Sequence, residues 1–106
     1  MRKKELKKIN KTPKIIKLNL TGCKSLSEIH ERIQKTFGFP EWYGKNWSAF
    51  WDLLWSECDA DKVEIFGEHT LESKFNNYLK IVHNILDDLV DDRANSGYLF
   101  EYEIID

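Results

Sequence analysis

The feature that most constrains this chain is a cluster of large aromatic rings in a short segment. Trp42, Tyr43, Trp47 and Trp51 lie within ten residues and include three of the four tryptophans of the 106-residue chain. One face of a short helix cannot bury four such rings, so we expect at least two of them at the surface. Exposed aromatic residues beside a carboxylate, here Asp52, commonly anchor tight protein interfaces. The segment therefore predicts a recognition surface.

The composition is that of one ordinary globular domain. No apolar run approaches the roughly 20 residues that cross a bilayer, and the charged N-terminus lacks the apolar stretch of a signal peptide. Two cysteines, Cys23 and Cys58, are too few for a disulfide framework and lack metal-ligand spacing. We therefore expect a cytoplasmic protein with two reduced thiols and no cofactor.

The charges divide unevenly along the chain. Residues 1–17 contain eight bases and one acid, a net charge of +7, whereas residues 18–106 contain eight bases and seventeen acids, a net charge of −9. So acidic a body repels nucleic acid and favours a basic protein partner, whose approach it accelerates. Residues 1–14 have little apolar pattern and include Pro13, so we interpret them as a flexible basic arm before a domain of residues 15–106.

Apolar periodicity predicts strands that alternate with helices. Residues 15–20 alternate as a strand, and a capping box at Ser25–Glu28 opens a helix over 26–37 that Gly38 ends. Asn46 is a good N-cap for a second helix, whose core face carries Phe50, Leu53 and Leu54.

The second half of the chain continues this alternation. It predicts a strand at 62–66, a helical pattern over about 70–92, and a final strand at 98–105. One long helix, or two shorter ones broken near Asn76–Asn77, fit the middle pattern equally well. Strands separated by helices predict an α/β fold in which helices pack on a small parallel sheet.

Nothing in the sequence supports an enzyme. His30, His69 and His83 have no nucleophile or carboxylate at a spacing that forces a triad, and no pair of them has metal-ligand spacing. The glycines are single and scattered, so there is no phosphate-binding loop. We interpret His30 and His83 as half-buried or surface residues; a hydrolase would need an activity that is lost when a histidine is replaced.

Four acids lie in the last turns of the long helical pattern, at Asp87, Asp88, Asp91 and Asp92. Acids at this end of a helix oppose its dipole and repel one another. They form either a solvated face or the flank of a surface that meets a basic partner.

Residues Phe39 to Leu54, with the sequence FPEWYGKNWSAFWDLL, resemble the signature of the barstar family of intracellular ribonuclease inhibitors. Ser27 to His30 resemble the segment that precedes it. The resemblance implies a barstar-like fold, a three-stranded parallel sheet packed with three or four helices. It also implies an inhibitor that plugs the active site of a basic, secreted ribonuclease of the barnase type, or of a related toxin nuclease.

The resemblance also implies roles for individual residues. By position in the motif, Asp52 is the carboxylate that takes the place of the substrate phosphate, and Trp51 precedes it as in the family. Trp42 stands where the family usually has a tyrosine that packs on the enzyme. Gly44 and Asn46 match the turn and the cap.

One further family position has two candidates in this sequence, and two other positions differ from the family pattern. A further family acid on the last helix maps to Asp88, with Asp87 as the alternative. Ser48 stands where the best-known members carry a second interface aspartate, and Trp47 replaces a smaller apolar residue. The predicted partner-binding residues are Trp42, Tyr43, Gly44, Asn46, Trp47, Ser48, Trp51, Asp52 and Asp88.

The resulting hypothesis is an immunity protein, or antitoxin, that inhibits a nuclease by one-to-one binding. The alternative is an RNA-associated or regulatory module in which the aromatic rings stack on bases and the basic arm holds phosphates. Salt-dependent RNA binding that is lost on deleting residues 1–14 would favour the alternative.

Overall fold

Three five-residue strands form one parallel sheet in the order β1-β2-β3. The computed structural model describes residues 13–105, so residues 1–12 of the predicted basic arm lie outside it. The strands are β1 (Ile15–Asn19), β2 (Lys62–Phe66) and β3 (Glu101–Ile105). Leu18 is paired with Ile65, and Ile65 with Ile104, across the sheet. The predicted parallel sheet is confirmed.

The first two helices begin at the caps that the sequence predicts. Helix α1 (Leu26–Phe37) starts where the Ser25 hydroxyl accepts a hydrogen bond from the Glu28 amide at 3.1 Å. It ends at Gly38, whose φ of 71° is the left-handed conformation typical of a helix C-terminus. Helix α2 (Trp47–Glu57) starts where the Asn46 side chain accepts from the Ala49 amide at 2.8 Å. Both predicted helices are confirmed.

The third helix differs in its limits from the predicted pattern. Residues Glu68–Thr70 and Ser73–Phe75 form two short 3₁₀ turns, and a single helix α3 then runs over Asn76–Asn95. The predicted helical start near residue 70 is wrong, because the two 3₁₀ turns come first and α3 begins only at Asn76. Strand β3 is also shorter than predicted, since its first link is the hydrogen bond from Glu101 N to Asp61 O at 3.2 Å.

The core lies between the sheet and the helices. Its fully buried side chains come from β1, β2 and all three helices, among them Leu18, Ile29, Phe50, Ile65 and Leu86. Strand β3 has no fully buried residue and contributes the half-buried Tyr102. The predicted core face of α2 is confirmed, since Phe50, Leu53 and Leu54 are all buried. Cys23 and Cys58 are free thiols, as predicted, and burial raises the pKa of both.

Helices α2 and α3 lie side by side and point in the same direction. Near their N-termini, the ring centroids of Trp47 and Tyr78 are 6.3 Å apart. Near their C-termini, the Arg93 guanidinium donates to the carbonyl oxygens of Trp55 and Cys58 at 3.3 and 3.4 Å. This arrangement places the middle turns of α2, which carry Trp51 and Asp52, beside the second half of α3.

Lys14, the residue before the predicted domain boundary, is tied to the loop before β2 by both its backbone and its side chain. The Lys14 amide donates to the Asp61 carboxylate at 2.8 Å, and its ammonium donates to the Asp59 carboxylate at 2.6 Å. The Lys14 carbonyl also accepts from the amides of Asp61 and Lys62. Lys14 is therefore tied to the loop before β2. None of the helices within residues 13–105 is long and apolar enough to cross a membrane.

Candidate partner-binding surface

The loop between α1 and α2 is held from below by two buried rings. Phe39 and Tyr43 are both buried, and their ring centroids are 5.4 Å apart. The Pro40 carbonyl accepts from the Tyr43 amide at 2.9 Å and from the Gln34 side chain at 2.8 Å. Between these anchors Trp42 lies outside, with 74% of its surface exposed. The loop therefore presents Trp42 from a fixed base.

His30 lies at the centre of that base, which corrects its interpretation as a half-buried or surface residue. It is only 1% exposed, its Nδ1 is 2.6 Å from the Tyr43 hydroxyl, and its ring centroid is 4.4 Å from that of Trp47. Its Nε2 is buried and has no hydrogen-bond partner in the described part of the chain. Burial, together with the positive charge of Lys45, lowers the pKa of His30. A neutral His30 thus joins α1, the loop and α2.

Tyr43 has an internal role in this arrangement. It is 4% exposed, and burial raises the pKa of its hydroxyl above the ordinary value for tyrosine. Because its ring faces the core, Tyr43 supports the loop and does not itself present a surface to a partner. The expected role of Tyr43 in setting the loop and its place among the partner-binding residues both stay predictions.

Trp47 packs further inward than Trp51, although the two lie four residues apart, the spacing of one helix face. It is half-buried, with its ring against His30, Phe50 and Tyr78. The reason is tertiary, because α1 and α3 flank the start of α2 and cover this side of it. Trp42 and Trp51 are the two exposed rings of the four, so the expectation that at least two lie at the surface is confirmed.

The middle of α2 presents a ring and a carboxylate side by side. Trp51 is 41% exposed and stacks on Trp55, with ring centroids 4.3 Å apart and planes inclined by 17°. Asp52 is exposed, and its carboxylate has no hydrogen bond or ion pair with any residue of the range 13–105. The Asp52 backbone carbonyl accepts from the Ser56 hydroxyl at 3.0 Å. An unpaired surface carboxylate of this kind can accept hydrogen bonds from another molecule without first losing one within its own chain.

The turn before α2 exposes the other predicted residues. Gly44, Asn46 and Ser48 are all at the surface. The Asn46 side chain donates to the Gly44 carbonyl at 3.3 Å while it caps α2, so one side chain fixes both the turn and the helix start. Lys45 has a positive φ of 54° and is 3.7 Å from the Glu31 carboxylate of α1. The turn is thereby tied to α1 at its rim.

The acids on α3 are not equivalent. Asp87 accepts from the Tyr102 hydroxyl at 2.7 Å, and Asp92 is 3.4 Å from the Arg93 guanidinium. Asp88 and Asp91 are exposed, and neither carboxylate has a partner within the described range. Between the two alternatives that the sequence leaves open, Asp88 is therefore the acid that is available to another molecule, and its partner-binding role stays a prediction.

A further polar pair joins His83 of α3 to Glu68 of the first 3₁₀ turn. His83 is half-buried, as predicted, and its Nε2 is 2.6 Å from the Glu68 carboxylate. Residues 13–105 contain no group of three or more His, Cys, Asp or Glu side chains arranged to hold a metal ion.

Trp55 continues the four-residue spacing of Trp47 and Trp51 along α2, but it is not among the residues predicted to bind the partner. Its spacing of four residues from Trp51 was the available signal, since side chains at i and i+4 meet on one helix face.

A comparison with protein families agrees with this geometry. The family described as Barstar (barnase inhibitor) matches residues 14–104, which is nearly the whole chain. The matched region starts at Lys14, the residue at which the structure ties the chain to the loop before β2. It includes the loop, both exposed tryptophans and the acids of α3.

Proposed function

Because the chain belongs to the barstar family, we propose that it is an intracellular inhibitor of a basic ribonuclease, acting as an immunity protein. It would bind the nuclease one to one and cover its active site. The observation that carries the proposal is the exposed, unpaired carboxylate of Asp52 beside the exposed ring of Trp51. No cofactor is required for such an action.

Asp52 is proposed to take the place of the substrate phosphate. A ribonuclease surrounds that phosphate with Arg, Lys or His side chains, and a carboxylate receives the same charge-assisted hydrogen bonds. Among described residues nothing competes for the Asp52 carboxylate, so binding need not break an internal ion pair. Binding does desolvate the carboxylate, and well-placed cationic donors offset that cost.

The two exposed tryptophans are proposed as the apolar anchors of the interface. Trp42 projects from the loop, whose base is held by His30 and Tyr43, and Trp51 projects from α2, where it stacks on Trp55. Large rings on a fixed base gain contact area at low entropic cost when a partner buries them. Trp47 would contribute through its exposed part only, because most of its ring contacts are internal.

Charge supports a basic partner. Residues 18–106 carry a net charge of −9, and the exposed, unpaired carboxylates of Asp88 and Asp91 on α3 are part of it. Such a field accelerates encounter with a basic nuclease. Ser48, where the family's best-known members carry an aspartate, removes one expected charge contact, which is consistent with a divergent nuclease as the natural target.

The proposal is tested by titrating the protein into a barnase-type ribonuclease and following RNA cleavage. We expect inhibition that is complete at one equivalent, and Asp52→Ala should weaken binding by at least about 2 kcal/mol, or roughly 30-fold in Kd. Glu57→Ala is the matched control, since Glu57 is exposed near the end of the same helix.

Two results would count against the proposal. Equal affinities for the Asp52→Ala and Glu57→Ala proteins would remove Asp52 from the site. Absence of inhibition, together with RNA binding that is lost on deleting residues 1–14, would favour the RNA-associated alternative.

A further inference from the structure

The tryptophan stack on α2 joins an anchored ring to an exposed one. Trp55 is half-buried and packs against the core, whereas Trp51 is 41% exposed. Their ring centroids are 4.3 Å apart and their planes differ by 17°, which is a stacked geometry. The Trp55 carbonyl also accepts from the Arg93 guanidinium of α3 at 3.3 Å. The Trp55 ring is thus held by the core and its backbone is tied to α3, and the Trp51 ring lies on the Trp55 ring.

Without this support the Trp51 ring would sample several rotamers. An exposed side chain on a helix keeps more than one staggered χ1 rotamer. Fixing one rotamer on binding costs conformational entropy and so reduces the affinity. A stacked neighbour removes part of that cost before the partner arrives. The orientation of Trp51 also decides what lies next to the carboxylate of Asp52, the adjacent residue on the helix.

We propose that Trp55 is a positioning residue of the inhibitory surface, which holds the Trp51 ring in its binding orientation in the free protein. The proposal rests on the proposed function and deepens it, because it adds to the surface a residue that makes its contribution through Trp51. Preorganisation of this kind lengthens the life of a complex more than it accelerates encounter. Trp55 should therefore affect the dissociation rate and leave the association rate nearly unchanged.

The test uses three variants of the full chain. Trp55→Leu keeps an apolar side chain at the core but removes the ring, Trp55→Phe keeps a ring, and Trp42→Leu removes an exposed tryptophan outside the stack. Two stacked indoles give an exciton couplet in far-ultraviolet circular dichroism. We expect Trp55→Leu to abolish this couplet and Trp42→Leu to retain it.

Binding to a barnase-type ribonuclease is then followed by stopped flow. Trp55→Leu should raise the dissociation rate by about two- to thirteenfold, the range expected for one aromatic pair. Trp55→Phe should bring the rate most of the way back to that of the wild type. Titration gives the active fraction of each protein, so partial unfolding would appear there and not in the rate. In a double-mutant cycle, Trp51→Ala should weaken binding less in the Trp55→Leu background than in the wild type.

The outcomes separate the two proposals. A Trp55→Leu protein that loses the couplet but dissociates at the wild-type rate overturns the positioning role. A couplet that Trp55→Leu leaves unchanged overturns the stack itself, and that measurement needs no nuclease. Failure of the wild type to inhibit any barnase-type ribonuclease overturns the proposed function and a role of Trp55 in inhibition, while the couplet still decides whether Trp55 orders Trp51.

Discussion

Replacing Tyr43 by Phe should weaken the base of the recognition loop by a measurable amount. The Tyr43 hydroxyl is 2.6 Å from His30 Nδ1, and the other ring nitrogen of His30 has no partner among residues 13–105. Tyr43→Phe therefore leaves a fully buried imidazole without a hydrogen bond on either side. A buried polar group left unpaired costs about 1–3 kcal/mol, and we expect a loss of unfolding free energy in that range.

Urea unfolding followed by tryptophan fluorescence measures this loss. Tyr78→Phe is the matched control, because Tyr78 is a half-buried tyrosine of α3 whose hydroxyl has no partner in the described structure. Its loss should stay within about 0.5 kcal/mol. The double variant His30→Leu, Tyr43→Phe should recover part of the stability, since an apolar pair leaves no unpaired group. Equal losses for Tyr43→Phe and Tyr78→Phe would refute the reasoning.

Three further predictions concern pH, backbone conformation and salt. The pKa of His30 is lowered in the folded protein, so as pH falls the unfolded chain takes up its proton first. The free energy of unfolding should therefore decrease as pH drops below about 6.5. Urea midpoints measured across this pH range should fall less steeply for His30→Leu. Gly67→Ala should lower the free energy of unfolding by more than about 2 kcal/mol, because Gly67 has a φ of 84° and a Cβ there would lie 2.5 Å from the Thr21 amide nitrogen. Gly22→Ala is the control: its φ is 74° but the space around it is open, so the loss should be only about 1 kcal/mol. The stopped-flow association rate with a basic ribonuclease should fall as salt rises, while the dissociation rate changes little.

Local signals in the sequence were enough for the elements that carry their own caps. Ser25 and Asn46 begin α1 and α2, and Gly38 ends α1, because each acts on amides or carbonyls within a few residues. The same locality explains where β2 ends, because Gly67 follows its last residue with a left-handed φ of 84°. These signals also turn Trp51 away from the buried face of α2, which carries Phe50, but they did not decide which of the four rings are exposed.

Long-range contacts decided what the sequence could not. His30 is buried because Tyr43 and Trp47, from a later segment, close over it. Helix α3 extends to Asn95 where Arg93 reaches the carbonyls at the end of α2. The start of β3 is set by pairing with β2 and not by its own alternation. None of these contacts has a signature in a short window of sequence.

The acids of α3 illustrate the same limit within the candidate site. Asp87 and Asp88 are adjacent and chemically identical, so no sequence pattern separates them. The fold separates them, because the Tyr102 hydroxyl of β3 donates a hydrogen bond to the Asp87 carboxylate, whereas Asp88 is unpaired in the described range. The assignment of Asp88 to the interface is tested as for Asp52, with Asp87 as its neighbouring control.

The central claim is that the protein occupies the phosphate site of a nuclease through Asp52. The most direct test is competition: the affinity for a barnase-type ribonuclease is measured by titration calorimetry with increasing amounts of a mononucleotide that binds the nuclease active site. We predict that the apparent Kd rises in proportion to the nucleotide concentration, because the Asp52 carboxylate and the phosphate require the same cationic donors. An affinity that stays constant when the nucleotide saturates the nuclease would contradict the account.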